Sequence, residues 1–468
     1  MRFVINEQIK VTDSEPWFVK WLKKEYTIDN PEYEKKLRMG FWVGNTPETI
    51  QLFSQEGDTY VLPQGLQHFF PTDMWIDSDI CIDTDYPIPQ YTVESVRDIE
   101  LYEYQKKALY ALRLYRRGIL QSPPGSGKTQ MGLAFIQALG ERALWITHTI
   151  DLMKQSKHRA ELYFKKNTLG EITGGKCHLG SGITFATVQT LANIDLAKYK
   201  NHWNVIVVDE CHRVSGSPTT MTRYYKVLNN LNAEHKIGLS ATVHRADGMI
   251  KATHALLGRI VYTVSEDDVK DKTMPVKVIP VGTGTPLSMD MLNTDGTLHY
   301  SNMLNCLAED KDRCLFIANQ ILKHKEHSCL ILSERITLLE NVMRILPHAL
   351  PREYIDKAVL IHGHLTGSNG KAYREQAIQD MRTGKKKYLF ATFQLAKEGL
   401  DIPRLDRLFL TTPQKDYAVV AQSIGRIARV AEGKTDAIAY DFIDDFPYAK
   451  KAFKKRLTTY NKQGCEIE

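Results

Sequence analysis

The sequence predicts an α/β protein with two tandem parallel-sheet lobes and a small α+β module at the N-terminus. From about residue 96 onward, short apolar strands alternate with helical stretches, which is the rhythm of parallel sheets with crossover helices. The polar stretch Ser265–Lys272 interrupts that rhythm before it restarts. The chain of 468 residues is also too long for a single hydrophobic core.

Four segments are expected along the chain. An accessory module covers residues 1–95, a first lobe 96–264, a hinge 265–275 and a second lobe 276–468. The module differs in composition from the rest of the chain, since it contains four of the six Trp residues. Behind it, the acidic run Asp73–Asp85 followed by Tyr86-Pro87-Ile88-Pro89 has the composition of a linker.

The lobes are predicted from short apolar runs bounded by turn residues. The first lobe is expected to contain strands at Ala143–Ile146, Ile183–Ala186, Val205–Val208 and Lys236–Leu239. The second lobe is expected to contain strands at Val276–Pro280, Cys329–Ser333, Ala358–Ile361, Tyr388–Ala391, Arg407–Thr411 and Ala437–Tyr440. A basic helix at Tyr448–Tyr460 is expected to pack on the second lobe with its charges in solvent.

The formal net charge of +6 is distributed unevenly. Residues 1–96 carry a net charge of −8 and the remainder carries +14, so the body of the protein suits a polyanionic partner. Seven Cys residues without a Cys-x-x-Cys pair indicate neither a zinc site nor a disulfide framework. No apolar run reaches the length of a membrane span. These features predict a cytoplasmic protein with reduced thiols.

A glycine-rich loop between an apolar strand and a helix predicts a nucleotide phosphate site. It reads Ser122-Pro123-Pro124-Gly125-Ser126-Gly127-Lys128-Thr129. Its glycines allow the backbone N–H groups to surround phosphate oxygens, and the following helix contributes its positive end. Lys128 supplies a charge for the β- and γ-phosphates, and the Thr129 hydroxyl supplies a ligand for Mg²⁺. The expected nucleotide-binding residues of the loop are Pro124, Gly125, Ser126, Gly127, Lys128 and Thr129.

A carboxylate pair follows the buried-type strand Val205–Val208. Ligand groups gather at the carboxyl ends of parallel strands, so Asp209 is expected to bind Mg²⁺ through water. Glu210 is expected to orient or deprotonate the attacking water. In the segment Gly238–Thr242, Ser240 and Thr242 also follow a strand and are expected to link these carboxylates to the moving half of the protein.

The second lobe contains Gln422-Ser423-Ile424-Gly425-Arg426-Ile427-Ala428-Arg429. On a helix, Gln422, Arg426 and Arg429 would share one face. Two guanidinium groups presented together suit the charge that spreads over a transferring phosphoryl group. Gln422, Arg426 and Arg429 are therefore candidates for the catalytic site, together with Lys128 and the two carboxylates.

Taken in order, these segments resemble the motifs of superfamily 2 helicases with a DExH box. The resemblance covers about residues 98–445. Its closest form is the phage branch-migration helicases of the UvsW type, with RecG-like and XPB-like DNA translocases as kin. The matching segments are Leu101–Gln105, Pro124–Thr129, Thr147–Thr149, Thr187–Thr190, Asp209–His212, Ser240–Thr242 with Arg245, Ile361–Gly363, Thr392, Glu398–Pro403 and Gln422–Arg429.

The resemblance implies two RecA-like lobes with ATP and Mg²⁺ between them. It implies that Tyr104 and Gln105 contact the adenine end of the nucleotide, and that Gly399 and Asp401 contribute to nucleotide binding from the second lobe. His212, Ser240 and Thr242 would couple hydrolysis to movement. The residues implied to contact nucleic acid are Thr147, Thr149, Thr187, Gln189, His362 and Thr392.

The expected partner is forked, branched or single-stranded DNA, with RNA not excluded. A monomer is expected, in the host cytoplasm if the chain is phage-encoded. Three alternatives stay open on the sequence: a DExH RNA helicase, a duplex translocase that does not unwind, and a nucleic-acid clamp in which hydrolysis only times release.

Overall fold

The structure is a computed structural model. It describes residues 1–71, 80–241, 249–269, 273–349, 356–365, 367–397, 400 and 402–468. The chain divides into two compact units, Met1–Ser265 and Glu266–Glu468. Each unit contains a large sheet of mainly parallel strands with helices between them, so the predicted α/β class is confirmed.

The first unit begins with a mixed five-stranded sheet in the order β5-β6-β2-β1-β7. Its strands are β1 Arg2–Ile5, β2 Gln8–Thr12, β5 Ser54–Glu56, β6 Thr59–Pro63 and β7 Cys81–Thr84. Between β2 and β5 lie α1 Pro16–Tyr26, β3 Thr27–Asp29, α2 Pro31–Arg38 and β4 Thr49–Gln51. The prediction of a linker over Asp73–Asp85 is wrong for its last part, because β7 pairs in parallel with β1 from Arg2 opposite Cys81.

This sheet packs directly on the following α/β part of the unit. A 3₁₀ turn, Gln64–Phe69, lies against helix α8, Ile250–Leu257. A Cβ atom built on Gly65 would lie 2.4 Å from both the backbone nitrogen of Gly258 and the carbonyl oxygen of His254. Met249, Ala252 and Ala255 also belong to the apolar core of the N-terminal sheet. Two backbones therefore touch here without a side chain between them.

The large sheet of the first unit has the order β11-β10-β12-β9-β13-β14-β8-β15. Its strands are β8 Arg117–Gln121, β9 Ala143–Thr147, β10 Leu169–Thr173, β11 Lys176–His178, β12 Ile183–Thr187, β13 Val205–Asp209, β14 His235–Ser240 and β15 Ile260–Thr263. Its remaining helices are α3 Glu103–Tyr115, α4 Lys128–Leu139, α5 Ile150–Ala160, α6 Val188–Leu191 and α7 Arg223–Leu228. All described pairings are parallel except that of β10 with β11. The central strands β9, β12, β13 and β14 are buried throughout.

The second unit contains a seven-stranded parallel sheet in the order β18-β19-β17-β20-β21-β16-β22. Its strands are β16 Lys277–Pro286, β17 Cys329–Ser333, β18 Ala358–Ile361, β19 Tyr388–Thr392, β20 Arg407–Leu410, β21 Ile438–Asp445 and β22 Glu466–Ile467. Its helices are α9 Glu266–Val269, α10 Tyr300–Glu309, α11 Lys311–Leu322, α12 Ile336–Ala349, α13 Gly367–Thr383, α14 Phe393–Lys397, α15 Tyr417–Ile427 and α16 Pro447–Lys462.

Every strand predicted for the two lobes is present, although β16 and β21 run several residues further than expected. Their extension carries polar residues into the ladder. Asp444 on β21 is fully buried and accepts a hydrogen bond from Arg313 Nε at 2.7 Å, so its charge is compensated inside the fold. A strand prediction based on apolar runs ends at such polar residues, so it places the end of the strand too early.

The basic C-terminal helix α16 packs on the second sheet, as predicted, but the expectation that all its charges lie in solvent is wrong for Arg456. Arg456 is buried and donates to both carboxylate oxygens of Asp441 at 2.8 Å, and Tyr460 donates to the same group at 2.7 Å. Four lysines of the same helix are exposed, namely Lys450, Lys451, Lys454 and Lys455. No helix in the described part of the chain combines the length and the apolar character of a membrane span.

Candidate nucleotide-binding site

The glycine-rich loop connects β8 to α4 and has the backbone of a phosphate cradle. Gly125 and Gly127 have φ angles of +85° and +84°, a region that other residues rarely adopt. Gly127 caps the N-terminus of α4, so the first free N–H groups of that helix face the loop. Thr129 lies in the first turn of α4, where its hydroxyl can reach a cation beside the phosphates. The donor set of this loop fits a nucleotide phosphate.

Gln105 and Tyr104, at the start of α3, hold the loop from one side. Gln105 is buried and its Nε2 donates to the carbonyl oxygen of Ser126 at 2.9 Å. Tyr104 Oη donates to the same oxygen at 2.9 Å. The other end of the Gln105 amide accepts from the backbone N–H of Tyr102 at 3.0 Å. Both residues implied to contact the adenine end thus contact the phosphate loop and hold the carbonyl group of Ser126.

Lys128 is folded onto its own loop. Its Nζ donates to the carbonyl oxygens of Ser122 at 3.3 Å and of Pro123 at 3.5 Å. These long contacts to neutral acceptors are weak, whereas a phosphate oxygen would offer a charged one. Lys128 is therefore placed where a nucleotide would draw it away from the loop carbonyls.

The carboxylate pair lies at the carboxyl end of β13. Asp209 is buried, and its Oδ1 accepts from the backbone N–H of Glu210 at 3.0 Å. Burial and the adjacent Glu210 charge raise the pKa of Asp209 to about 7, against the opposing charge of Lys128. That opposing effect means that Lys128 and Asp209 lie within electrostatic reach of each other. Mg²⁺ bound here would favour the ionised carboxylate, so Asp209 and Thr129 fit the metal roles assigned to them.

Glu210 is one of three non-glycine residues with positive φ in the described part of the chain, at +51°. Its Oε2 lies 3.2 Å from His212 Nδ1, and the same ring nitrogen lies 3.2 Å from Ser240 Oγ. Ser240 is fully buried at the end of β14, and its carbonyl accepts from the backbone N–H of Ser122 at 2.9 Å. A continuous path of polar contacts thus joins the base candidate, the coupling residues and the phosphate loop.

Sequence reasoning did not assign a role to the Ser122 side chain, which binds within the loop. Ser122 and Ser126 are both buried, and their hydroxyl groups are hydrogen-bonded to each other. Ser126 Oγ also lies 2.7 Å from the carbonyl oxygen of Pro123. The hydroxyl residues were visible in the sequence, but their contact depends on the folded backbone of the loop.

Gln422 and Arg426 lie on α15 of the second unit. Gln422 is buried, and its Oε1 has no hydrogen-bond partner among the described residues. Arg426 donates from Nε to the carbonyl oxygen of Ala396 at 3.0 Å and from Nη1 to that of Leu400 at 3.1 Å. Arg426 thus fastens α15 to the segment that contains Leu400, a positioning contact that the sequence did not predict.

Arg429 does not share a helix face with Arg426, and that prediction is wrong. Helix α15 ends at Ile427, and Arg429 forms a bridge with Thr273 instead. The backbone N–H of Met274 donates to the carbonyl oxygen of Ala428 at 2.7 Å. The chain entering the second lobe therefore supplies the donors that would otherwise come from a continued helix, which is why the helix stops before Arg429.

In the first unit, the threonines implied to contact nucleic acid form hydrogen bonds within the protein, and two of them cap helices. Thr147 is fully buried, and its hydroxyl donates to the carbonyl oxygen of Thr149 at 2.9 Å. Thr149 caps α5 and Thr187 caps α6 through their side-chain oxygens. Gln189 donates to the carbonyl oxygen of His148 at 2.8 Å. These contacts make Thr147 and Thr187 supports for the strand ends, not side chains exposed to a phosphate backbone.

In the second unit, His362 follows β18 and Thr392 ends β19, so both stand at the carboxyl edge of the sheet. Burial and the neighbouring His364 lower the pKa of His362, which keeps its ring neutral near pH 7. Five motif residues named from the sequence lie outside the described residues, namely Thr242, Arg245, Glu398, Gly399 and Asp401.

Two family models match this chain. The first, described as type III restriction enzyme, res subunit, matches residues 98–245. The second, described as helicase conserved C-terminal domain, matches residues 312–431. The first match includes Lys128, Asp209 and Ser240, and the second includes Gln422 and Arg429, so the two matches cover the motifs of both lobes.

Individual relatives agree with these matches. The chain is 28% identical to irc3 of Schizosaccharomyces pombe, named as a mitochondrial ATP-dependent helicase, over 74% of this chain and 58% of that one. It is 24% identical to the DNA 3'-5' translocase XPB2 of Sulfurisphaera tokodaii over 79% of this chain and 85% of that one. The structure of Saccharomyces cerevisiae Dbp5 bound to RNA and ADP BeF3 shares the fold, with 18% identity, a TM-score of 0.53 and coverage of 78% and 88%.

Proposed function

Because this chain belongs to the superfamily 2 helicases and carries both of their motor domains, we propose that it couples ATP hydrolysis to movement along DNA. Its substrates would be forked or branched DNA, remodelled by unwinding and branch migration. Two things favour DNA: the resemblance to phage branch-migration helicases, and the relative named as a DNA translocase. Dbp5, which shares the fold, was solved with RNA bound, so the test includes an RNA substrate as an alternative.

The observation that carries the proposal is the polar path from Glu210 through His212 and Ser240 to Ser122. It spans the ends of β13, β14 and β8. A shift of the phosphate loop is transmitted along it to the carboxylate that orients water. The His212 ring, which contacts both Glu210 and Ser240, is the part of this path that goes beyond the ordinary pairing of neighbouring strands.

The residues of the chain have separate tasks in the proposed cycle. The N–H groups of the loop and Lys128 bind the phosphates, and Glu210 orients and deprotonates the attacking water. Mg²⁺, held through Thr129 and Asp209, would neutralise charge on the phosphates. Arg429 is proposed to stabilise the transferring phosphoryl group from the second lobe, while Arg426 holds α15 in place for it. ATP then favours the closed arrangement of the lobes, and hydrolysis releases it.

The decisive experiment compares ATP hydrolysis and strand displacement on five substrates: single-stranded DNA, duplex DNA, forks, four-way junctions and RNA. Preference for forks or junctions supports the proposal. Stimulation by RNA alone would assign the chain to RNA remodelling instead. Stimulated hydrolysis without displacement on any substrate would identify a duplex translocase or a clamp, which a triplex-displacement assay separates because only a translocase moves.

A further inference from the structure

A cavity of about 410 Å³ lies within the first unit at the seam between the N-terminal sheet and the α/β part. We call it the seam cavity. The N-terminal side contributes residues around His68 and Tyr86, and the α/β side contributes the end of α3 and the start of β8, with Glu234 and Arg259. Since Arg117 begins β8 and Gln121 ends it, the cavity lies at the opposite edge of the sheet from the phosphate loop. The nucleotide site does not account for it.

Three arginines line the seam cavity, against one acidic residue. Arg116 pairs with Glu234 at 2.6 Å. The guanidinium carbon of Arg117 lies 5.0 Å from the centre of the Tyr86 ring, and that of Arg259 lies 5.1 Å from the centre of the Tyr115 ring. Stacking on aromatic faces fixes a guanidinium in position and leaves its N–H edge for a ligand. The cavity therefore has an excess of positive charge held in fixed positions.

Two buried polar atoms beside the cavity lack partners within the described part of the chain. Arg117 is 4% exposed; its Nη1 donates to Gln67 at 2.8 Å and its Nη2 to the carbonyl oxygen of Ala233 at 3.1 Å. Its Nε has no hydrogen-bond partner among the described residues, and neither has Nδ1 of His68. Both atoms are shielded from solvent, so the donors that a ligand can reach are those of the exposed Arg116 and Arg259.

Two of these arginines also act on His68. Burial, followed by the charges of Arg117 and Arg259, lowers the pKa of His68 to about 4. The imidazole is thus neutral near pH 7 and keeps both a donor and an acceptor. The same field that discourages a proton favours an anion.

Arg116 is held in a strained backbone conformation. It caps α3 with φ of +58° and ψ of −27°, a region in which glycine is the usual residue. Strain kept at a position with a large charged side chain points to a use for that side chain. Here the side chain faces the cavity beside Arg117 and Glu234.

We propose that the seam cavity binds a phosphate group, and that this group is a phosphodiester of the nucleic acid on which the motor acts. Arg116 and Arg259 would contact the phosphate, the buried charge of Arg117 would add to the attraction, and the Tyr86 and Tyr115 rings would flank the sugar or base. The proposal rests on the proposed function for its source of phosphate. Because β8 runs from Arg117 to the phosphate loop, a strand bound here would hold the element that carries the loop.

The test measures two ligands on the full chain. Anisotropy reports binding of labelled single-stranded and duplex DNA, and calorimetry reports binding of inorganic pyrophosphate in a Lys128→Ala background, which weakens the phosphate loop. The variants are Arg116→Gln and Arg259→Gln, both at exposed positions, with Glu234→Gln as the matched control of opposite charge. Thermal melting of each variant verifies folding. Each arginine variant should lower DNA affinity about three- to tenfold, and Glu234→Gln should raise it.

Weaker binding of both ligands in both arginine variants supports the seam cavity as a nucleic-acid phosphate site. Weaker pyrophosphate binding with unchanged DNA binding would overturn the nucleic-acid assignment and identify a small phosphate ligand. Unchanged binding of both ligands in variants that melt cooperatively, as the wild type does, would overturn the proposal. If no nucleic acid stimulates ATP hydrolysis by the wild-type chain, the proposed motor function is wrong. The pyrophosphate measurement would still show whether the seam cavity binds a phosphate group.

Discussion

At the scale of single residues, the site is positioned by strain and by burial. Glu210 holds a left-handed backbone conformation that costs roughly 1 kcal/mol or more. Asp209 is placed in a buried strand end that disfavours its charge. Both costs are tolerated because the surrounding parallel strands fix the backbone. A cation bound at this edge would favour the ionised form of Asp209.

Replacing either of two side chains should nearly abolish ATP hydrolysis while leaving the fold intact. Lys128→Ala removes the charge that binds the phosphates. Glu210→Gln removes the base and should lower turnover by roughly 100-fold or more. Steady-state hydrolysis with saturating nucleic acid measures both effects, and circular dichroism verifies folding. Nucleotide binding should persist in Glu210→Gln, and hydrolysis at the wild-type rate in either variant would refute the site assignment.

Stability should fall as pH decreases from 6.5 to 4, partly through His235. This residue is 6% exposed, and burial, with the charges of Arg117 and Arg116, lowers its pKa to about 4. The unfolded chain takes up a proton near pH 6.5, so it binds more protons than the folded chain between these values. The contribution of His235 is present above pH 6.5 and is lost through this window, by about 3 kcal/mol.

Melting temperatures of wild type and His235→Gln from pH 7 to pH 4 measure this contribution. The wild type should lose stability more steeply than the variant, whatever the variant's stability at pH 7. Parallel profiles would show that His235 is not held neutral. His254, whose pKa is also lowered by burial but to a smaller extent, provides His254→Gln as a control with a shallower effect.

At the scale of elements, one strand order in each lobe brings distant motifs together. In the first unit β13 and β8 both neighbour β14, which is why Asp209, Ser240 and Ser122 meet at one edge although they are far apart in sequence. In the second unit the end of α15 is decided by the chain that pairs with it at Thr273. Propensity alone would extend that helix through Arg429.

The different positions of the two arginines predict different phenotypes. Arg429→Ala should lower turnover steeply, by about 10³-fold or more if it acts as an arginine finger, with little change in ATP affinity or melting temperature. Arg426→Ala should lower the melting temperature, because the carbonyl groups of Ala396 and Leu400 lose their donor. Turnover, fluorescent-nucleotide binding and thermal melting compare the two. A change in Arg429→Ala confined to ATP affinity would contradict the finger role.

The contact of the Gln64–Phe69 turn with α8 should depend on Gly65. In Gly65→Ala the new methyl group would meet backbone atoms of Gly258 and His254 at 2.4 Å, and backbone cannot rotate away as a side chain can. We expect a loss of about 1–3 kcal/mol in the free energy of unfolding, measured as a lower melting temperature. Gly174→Ala is the matched control, since a methyl group there has no neighbour within 4 Å. Equal melting temperatures for the two variants would show that the contact yields easily.

At the scale of the whole molecule, charge is divided between the segments of the chain. The excess of +14 beyond residue 96 favours contact with phosphate backbones over the two α/β parts, while the acidic N-terminal segment contributes little to it. Three arginines of the seam cavity belong to the basic part. Long-range attraction and local contacts therefore act on the same partner.

Binding to nucleic acid should weaken steeply with salt. Each phosphate that the protein neutralises releases counterions, giving a slope of log affinity against log salt of about −0.9 per contact on duplex DNA. Anisotropy of labelled DNA from 50 to 300 mM salt measures the slope, with a neutral peptide nucleic acid of the same sequence as the control. A flat response would count against phosphate contacts as the source of affinity.

The two α/β lobes and the position of the carboxylate pair at a strand end were predictable because their signals are local. A strand such as Val205–Val208 is apolar over its length, and a loop such as Ser122–Thr129 has its chemistry in adjacent residues. The strand β7 was missed because its residues, Cys81–Thr84, are mostly exposed and polar. Its pairing with β1 depends on a partner about eighty residues away, which no local pattern contains.

The sequence by itself determined the class of fold, the phosphate loop and the family of motors, because each is written in contiguous residues with fixed chemistry. Only the tertiary structure decided that Ser122 joins the loop to Ser240, that Arg426 binds backbone while Arg429 leaves the helix, and that three arginines gather beside His68. These are contacts between residues remote in the chain. They form because strand order and the packing of the N-terminal sheet bring them within a few ångströms, and neither is encoded in any short segment.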